Sequence, residues 1–154
     1  MTMKKEMDLD KQYAIFDLDG TLADVSPREI WAIAGDWDEF NSRCIYDAPK
    51  DAMLALCNAL YAYKGWGTII LTGRSDKWER DTLYWLKLVG VDYDGLIMRP
   101  EGNEDSDFEF KRIILNDLRA RGVDIRMAFD DRDGCIDMFN EEGIWCFKAG
   151  ESAY

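Results

Sequence analysis

The chain has 154 residues, 47% hydrophobic and 13% aromatic, which suits one domain with a full core and excludes a disordered segment. Asp and Glu number 31 against 19 Lys and Arg, a net charge of −12. That balance excludes a protein that coats nucleic acid through a basic surface, but leaves room for one locally positive phosphate pocket. Without any histidine, Ser-His-Asp and Cys-His triads are excluded, and acid–base work falls to carboxylates, lysine, tyrosine or water.

The opening residues, MTMKKEMDLDKQ, are charged and lack the apolar segment of a secretory signal. No run approaches the length of a membrane helix, so a cytoplasmic protein with no membrane contact is expected. YAIFDLD (13–19) is the first strand, an apolar run that ends in Asp17 and Asp19. The stretch 23–50 breaks the rhythm that follows. Ser26-Pro27-Arg28-Glu29 carries a capping-box signature with proline at the first helical position, and Trp31, Trp37 and Phe40 follow. A small helical cap or flap beside the end of the first strand is expected here, its aromatics packing rather than stacking on bases.

Residues 51–64 place Met53, Cys57, Leu60 and Tyr61 on one helical stripe, stopped by Gly65. GTIILTG (67–73) is the second strand. DKWE (76–79) offers a helix start, with Leu83, Leu86 and Val89 behind it and Gly90 as terminator. GLIMR (95–99) is the third strand. SDFE (106–109) is a capping box, and Phe110, Ile113, Ile114 and Leu118 form the apolar face of the helix it opens. IRMAFDD (125–131) is the fourth strand and it too ends in two aspartates. DGCIDMFNEEG (133–143) is a short helix, with Asp133 read as its cap rather than a ligand, and IWCFK (144–148) is the fifth strand. Trp66, Trp78, Trp85 and Trp145 are expected in or near the core.

Non-alternating apolar strands separated by helices predict one doubly wound α/β domain over 1–154, a five-stranded, mainly parallel sheet with helices on both faces. Cysteines 44, 57, 135 and 146 form no CxxC pair and read as core thiols in a reducing compartment.

In such a sheet, ligands bind outside the carboxyl ends of the strands. Asp17 and Asp19, Thr72 and Arg74, and Asp130 and Asp131 all fall at that rim. Crowded carboxylates call for a hard cation, and Mg2+ takes one or two carboxylates together with phosphate and water. A carboxylate is also a competent nucleophile on phosphorus, and an acid two residues on can serve the leaving group and then water. Gly20 permits a sharp turn that frees amides for phosphate, while Thr72, Arg74 and Lys111 can balance its charge.

DLDGT (17–21), LTGR (71–74), Lys111 and DDRD (130–133) together resemble the four motifs of the haloacid dehalogenase superfamily. RPEGNEDSDFEFK (99–111) and FDDRDGCIDMFNEEGIWCFKAGE (129–151) resemble, more narrowly, the 3′-phosphatase domain of phage-type polynucleotide kinases. The resemblance implies Asp17 as nucleophile and Asp19 as general acid/base. It implies Thr72, Gly73, Arg74 and Lys111 around the phosphate, with Arg28 as a further phosphate contact. Asp17, Asp19 through its backbone carbonyl, Asp130 and Asp131 would be the Mg2+ shell. Phosphorylated nucleic-acid ends or nucleotides would be the substrate. No GxxxxGK[ST] loop occurs, so kinase and ligase steps would belong to separate partners; the oligomeric state is left open. A nucleotide or small-metabolite phosphatase and a non-catalytic phospho-receiver are the competing readings.

Overall fold

The computed structural model describes residues 6–154 together with the backbone of Thr2–Met3. Five parallel strands form the sheet: β2 (Gln12–Phe16), β5 (Trp66–Ser75), β6 (Gly95–Arg99), β7 (Asp124–Asp130) and β8 (Trp145–Lys148). β1 (Thr2–Met3) adds an antiparallel edge beside β6, so the spatial order is β1-β6-β5-β2-β7-β8. This sixth strand was not expected, because two residues carry no periodicity.

The chain starts at the centre with β2, builds outward through β5 and β6, then crosses back to β7 and β8 on the other flank. The reversal places a switch point at the carboxyl end of β2, where an open α/β sheet forms its crevice. Both faces are buried, and alternate residues of β2 serve opposite cores. Ala14 and Phe16 pack with Ile70, Trp85, Leu86 and Met98 under α3 (Asp51–Ala62) and α4 (Glu79–Val89). Tyr13 and Ile15 pack with Ile69, Leu71, Phe110 and Leu118 under α5 (Asp107–Ala120) and α6 (Asp133–Glu141).

Several local expectations need correction. α5 opens with the full reciprocal capping box of Ser106 and Glu109, as its sequence implies. Its apolar face, however, uses Leu115, and Ile113 points to solvent. The two other cap signatures are not used. Ser26 donates to Asp24 Oδ1 at 2.7 Å instead of capping, and a 3-10 turn covers Ser26–Arg28. Ser75, not Asp76, caps the 3-10 turn Asp76–Trp78 that leads into α4. Asp133 opens α6 without accepting a capping bond; it is exposed and pairs with Lys148 at 2.9 Å. Trp145 lies on the outer strand and is largely exposed, whereas Trp85 is buried.

The 23–50 insert is a small helical flap closed by a two-stranded pair. β3 (Ala23–Asp24) and β4 (Ala48–Pro49) bracket α1 (Glu29–Ile33) and α2 (Trp37–Ser42). Lys50 ties its base to the switch point, donating to the backbone oxygens of Gly20 and Ala149 at 2.8 and 2.9 Å. Among the described residues no helix is long and apolar enough to cross a membrane.

Candidate active site

β2 and β7 run parallel, with a register shift between Tyr13 and Ala14 after which Phe16 pairs with Phe129, and the ladder continues as Asp17 N–H donates to Phe129 O at 2.9 Å. Asp17 therefore leaves β2 level with Asp130 at the end of β7. Oxygens of Asp17, Asp130 and Asp131 lie within 4.8 Å of one another, and all three residues are buried. Lys111 reaches them from the first turns of α5 with its side chain only 1% exposed. Its Nζ donates to Asp130 Oδ2 at 2.7 Å and Asp17 Oδ1 at 3.0 Å, and lies 3.1 Å from Asp107 Oδ2.

Three carboxylates meet one ammonium, because Asp107 is also shared with Arg99 at 3.2 Å and Arg132 at 3.7 Å. Two negative charges are left over in a dry site, where Coulomb repulsion is weakly screened. Burial, followed by Asp130 and Asp131, pushes the Asp17 carboxyl well above the usual carboxylate range despite Lys111. Burial and Asp130 push Asp131 up to about 6. Asp131 Oδ1 is buried and accepts no hydrogen bond among the described residues. An orphaned carboxylate oxygen beside a double negative excess is what a hard dication would satisfy, so the donor set fits Mg2+.

Asp19 points the other way. Its Oδ1 accepts from Arg28 Nη2 at 2.5 Å and from Arg74 Nη2, and its Oδ2 from Arg74 Nε at 3.2 Å. Burial alone would raise this carboxyl, but Arg74 and Arg28 outweigh it and hold the group below the usual range. The structure thus presents Asp19 as carboxylate. Arg28 does not open onto the cavity. It is buried, and Asp47 takes its Nε at 2.8 Å and Nη2 at 2.6 Å while Phe40 O takes Nη1 at 3.0 Å. It meets the site through Asp19. Asp47 is itself anchored by Trp85 Nε1, which donates to its backbone oxygen at 2.8 Å.

Thr72 and Arg74 come from the end of β5, where pairing with β6 slips between Thr72 and Ser75. Such an irregularity re-aims side chains at a sheet rim. Arg74 turns inward to Asp19 and donates through Nη1 to Thr82 Oγ1 at 2.9 Å. Thr72 Oγ1 accepts from Arg74 N–H at 3.1 Å, which leaves its own proton for a ligand. Arg99 Nε donates to Gly73 O at 2.9 Å, and a Cβ on Gly73 would lie 2.1 Å from Asp107 Oδ1.

Gly20 is constrained on two counts. Its φ is +83°, and a Cβ there would sit 2.1 Å from Asp131 Oδ2. Replacing Gly20 with alanine should displace Asp131 and strain the turn, costing about 1–3 kcal/mol. Thermal unfolding together with metal titration would register the lowered midpoint and weakened binding of a divalent ion.

Asp17, Asp19, Thr72, Gly73 and Arg74 share one cavity of about 460 Å3. Asp107, Arg99, Arg132, Trp37 and Tyr154 complete parts of its wall, and the sequence had singled out none of these for the site. Asp107 was within reach, since it stands four residues before Lys111 on one helix face. Asp47 and Tyr154 carry no local signal; only the folded chain brings them in.

This sheet order, with carboxylates gathered at its switch point, is the fold of the haloacid dehalogenase class. A haloacid dehalogenase-like hydrolase from Streptococcus pneumoniae has the same fold, with a TM-score of 0.63 at 15% identity over 94% of this chain and 89% of its own. A model of the family described as the polynucleotide kinase PNKP phosphatase domain matches residues 11–154, and the chain belongs to that family. It is a phosphatase, which sets aside the non-catalytic receiver. A chain of the Pnkp1/Rnl/Hen1 complex superposes with a TM-score of 0.82 at 22% identity, over 99% of this chain and 50% of that one. A second structure, of the Pnkp1/Rnl/Hen1 RNA repair complex, gives 0.76 at 23% identity over 99% and 47%. The chain thus spans about half the length of these two structural relatives.

Proposed function

We propose that this domain is a Mg2+-dependent phosphomonoesterase that removes 3′-phosphates from polynucleotide ends through an aspartyl-phosphate on Asp17. The observation that carries the reading is the charge excess at the rim: Asp17, Asp130 and Asp131 around a single Lys111, with one carboxylate oxygen unpartnered. Those three side chains, with the backbone carbonyl of Asp19, would hold Mg2+, which when bound offsets the excess and lets an anionic phosphate approach.

The protein's own groups divide the chemistry between them. Lys111 and Thr21, whose hydroxyl is 3.4 Å from Asp17 Oδ2, fix the orientation of the nucleophile. An Asp17 oxygen attacks phosphorus, the bond to the ester oxygen breaks, and that oxygen leaves with a proton from Asp19. Water then attacks the acyl phosphate while Asp19 takes its proton, releasing inorganic phosphate and free Asp17. The second half suits Asp19 as it stands, ionised between two guanidiniums. For the first half it must be protonated, and a phosphate that draws Arg74 toward itself removes one of the two charges opposing that. Thr72 and Gly73 would hold the transferring group, and Arg28 would act by positioning Asp19.

Family membership supports a phosphatase, and the family's description, with only the small 23–50 flap beside the site, supports a polynucleotide end as substrate. The kinase and ligase steps are assigned to other polypeptides or segments, since no phosphate-binding P-loop occurs in these residues. All four cysteines are free and buried, which suits a reducing, cytoplasmic setting.

The test is a panel of phosphomonoesters with and without Mg2+. We expect the 3′-phosphorylated oligonucleotide to be preferred and EDTA to abolish turnover. Faster hydrolysis of nucleoside 5′-monophosphates would instead establish the small-molecule phosphatase.

A further inference from the structure

We propose that the cavity next to the carboxylate cluster is a nucleoside seat, in which Trp37 stacks on the terminal base, Asn41 hydrogen-bonds the nucleoside, and Arg132 takes the next phosphodiester. The inference rests on the phosphatase reading above and adds how the end of the chain is recognised.

At about 460 Å3 the cavity is far larger than a phosphoryl group and falls in the range of ordinary ligand sites. Asp17 and Asp19 line it, and Trp37, Phe40 and Tyr154 give it an aromatic side. Trp37 stands at the start of α2 in the flap, 47% exposed. Phe40 and Tyr154 support it at centroid distances of 5.7 and 5.8 Å, with ring planes at 86° and 68°. Both neighbours lie crosswise, so among the described residues no ring stacks on the indole and its faces remain for a base. Of the flap aromatics, Trp31 is outside the cavity and Phe40 is buried beneath Arg28, which leaves Trp37 for a base.

Asn41 supplies an independent pointer. It is only 7% exposed, lines the same cavity, and its amide makes no side-chain hydrogen bond among the described residues. Its amide keeps access to the cavity, and a ligand hydroxyl or base edge there would pair with it. Arg132 is likewise underused. Its guanidinium has a 3.7 Å approach to Asp107 and a 5.5 Å contact with the Tyr154 ring, but no hydrogen bond among the described residues. It lies on the wall shared with a second cavity of about 350 Å3. A strand whose terminal nucleoside fills the first cavity and continues into the second would pass its backbone over Arg132. Stacking carries most of this grip, which reconciles an acidic protein with a polyanionic substrate: few phosphates are engaged, so salt dependence stays shallow.

The decisive comparison uses two 3′-phosphorylated oligonucleotides, one normal and one with an abasic terminal residue. For the unaltered protein, kcat/KM should favour the base-bearing end by roughly ten- to a hundredfold, the range of one base–aromatic stack. In Trp37→Ala that ratio should fall toward one, and Trp37→Phe should restore most of it, which a merely structural role would not do. Asn41→Ala should raise KM with little change in kcat. Arg132→Ala should raise KM more for the oligonucleotide than for a nucleoside 3′-monophosphate and flatten the salt slope by about one unit. A ratio near one in the unaltered protein, or the same ratio in Trp37→Ala, overturns the seat. If the protein hydrolyses only 5′-monophosphates, the 3′-end reading falls, and the same ratio, nucleoside 5′-monophosphate against ribose 5-phosphate, judges the seat by itself.

Discussion

Asp17→Asn should abolish phosphomonoester hydrolysis, by on the order of a thousandfold or more, while leaving the protein at least as stable in metal-free buffer. The first half follows from chemistry: an amide is no nucleophile toward phosphorus, and no second carboxylate shares the position of Asp17 facing Lys111 and Thr21. The second half follows from charge. Asp17 is buried against Asp130 and Asp131, and burial together with those two carboxylates disfavours its ionised form in the fold. Neutralising it lowers the excess around Lys111 from two negative charges to one, and Lys111 keeps Asp130 at 2.7 Å and Asp107 at 3.1 Å. Active sites commonly hold such mutually unfavourable groups, so losing function at no cost in stability is the signature of a reactive residue. Kinetics on a 3′-phosphorylated substrate and thermal unfolding in EDTA measure the two halves. Residual activity above a tenth would remove Asp17 as nucleophile, and a large fall in the unfolding midpoint would make it a structural ion-pair partner.

The parts of the site legible in the sequence are those that sit at the ends of strongly apolar strands. Asp17, Thr72 and Asp130 are each preceded by buried runs such as Ile15-Phe16, Ile70-Leu71 and Ala128-Phe129, so the strand reading alone places them on one rim. Lys111 was legible because Ser106 and Glu109 locate the helix start and therefore the side chain's height above the sheet. Residues that act across long sequence distances were not legible. Asp47 grips Arg28 from 19 positions away, and Tyr154 meets Trp37 across most of the chain. The role of Arg28 shows the difference in kind. A basic residue after the first motif reads as a phosphate contact, yet its burial and its three acceptors follow only from how the flap folds. Cap signatures misled where a 3-10 turn intervened: Ser26 bonds locally to Asp24, while Ser75 takes the cap and Asp76 instead accepts from Glu101 N–H at 2.8 Å.

Lys111→Met should do the opposite of Asp17→Asn: it should cost both activity and stability, and divalent cation should return only the stability. Methionine fills nearly the same space, so the change is mainly the loss of one buried positive charge. Asp17, Asp130 and Asp107 lose the ammonium they share, and the cluster at the rim goes from two excess negative charges to three. Removing one partner of a buried pair costs roughly 3–5 kcal/mol, and for a chain of this size that lowers the unfolding midpoint by about 10 °C or more. A cation bound by Asp17, Asp130 and Asp131 opposes the same repulsion, and it binds the folded form alone, so millimolar Mg2+ should raise the midpoint of the variant more than that of the unaltered protein. Turnover should stay low even then. The ammonium donates to the nucleophile at 3.0 Å and is also held at 3.1 Å by Asp107, which is outside the three-carboxylate cluster, and a metal ion does not reproduce that directed N–H contact. The two substitutions thus separate the two jobs done by charge here. If Lys111→Met is as stable as the unaltered protein in EDTA, the excess negative charge is already relieved by other means, and the rim needs no dication to offset it.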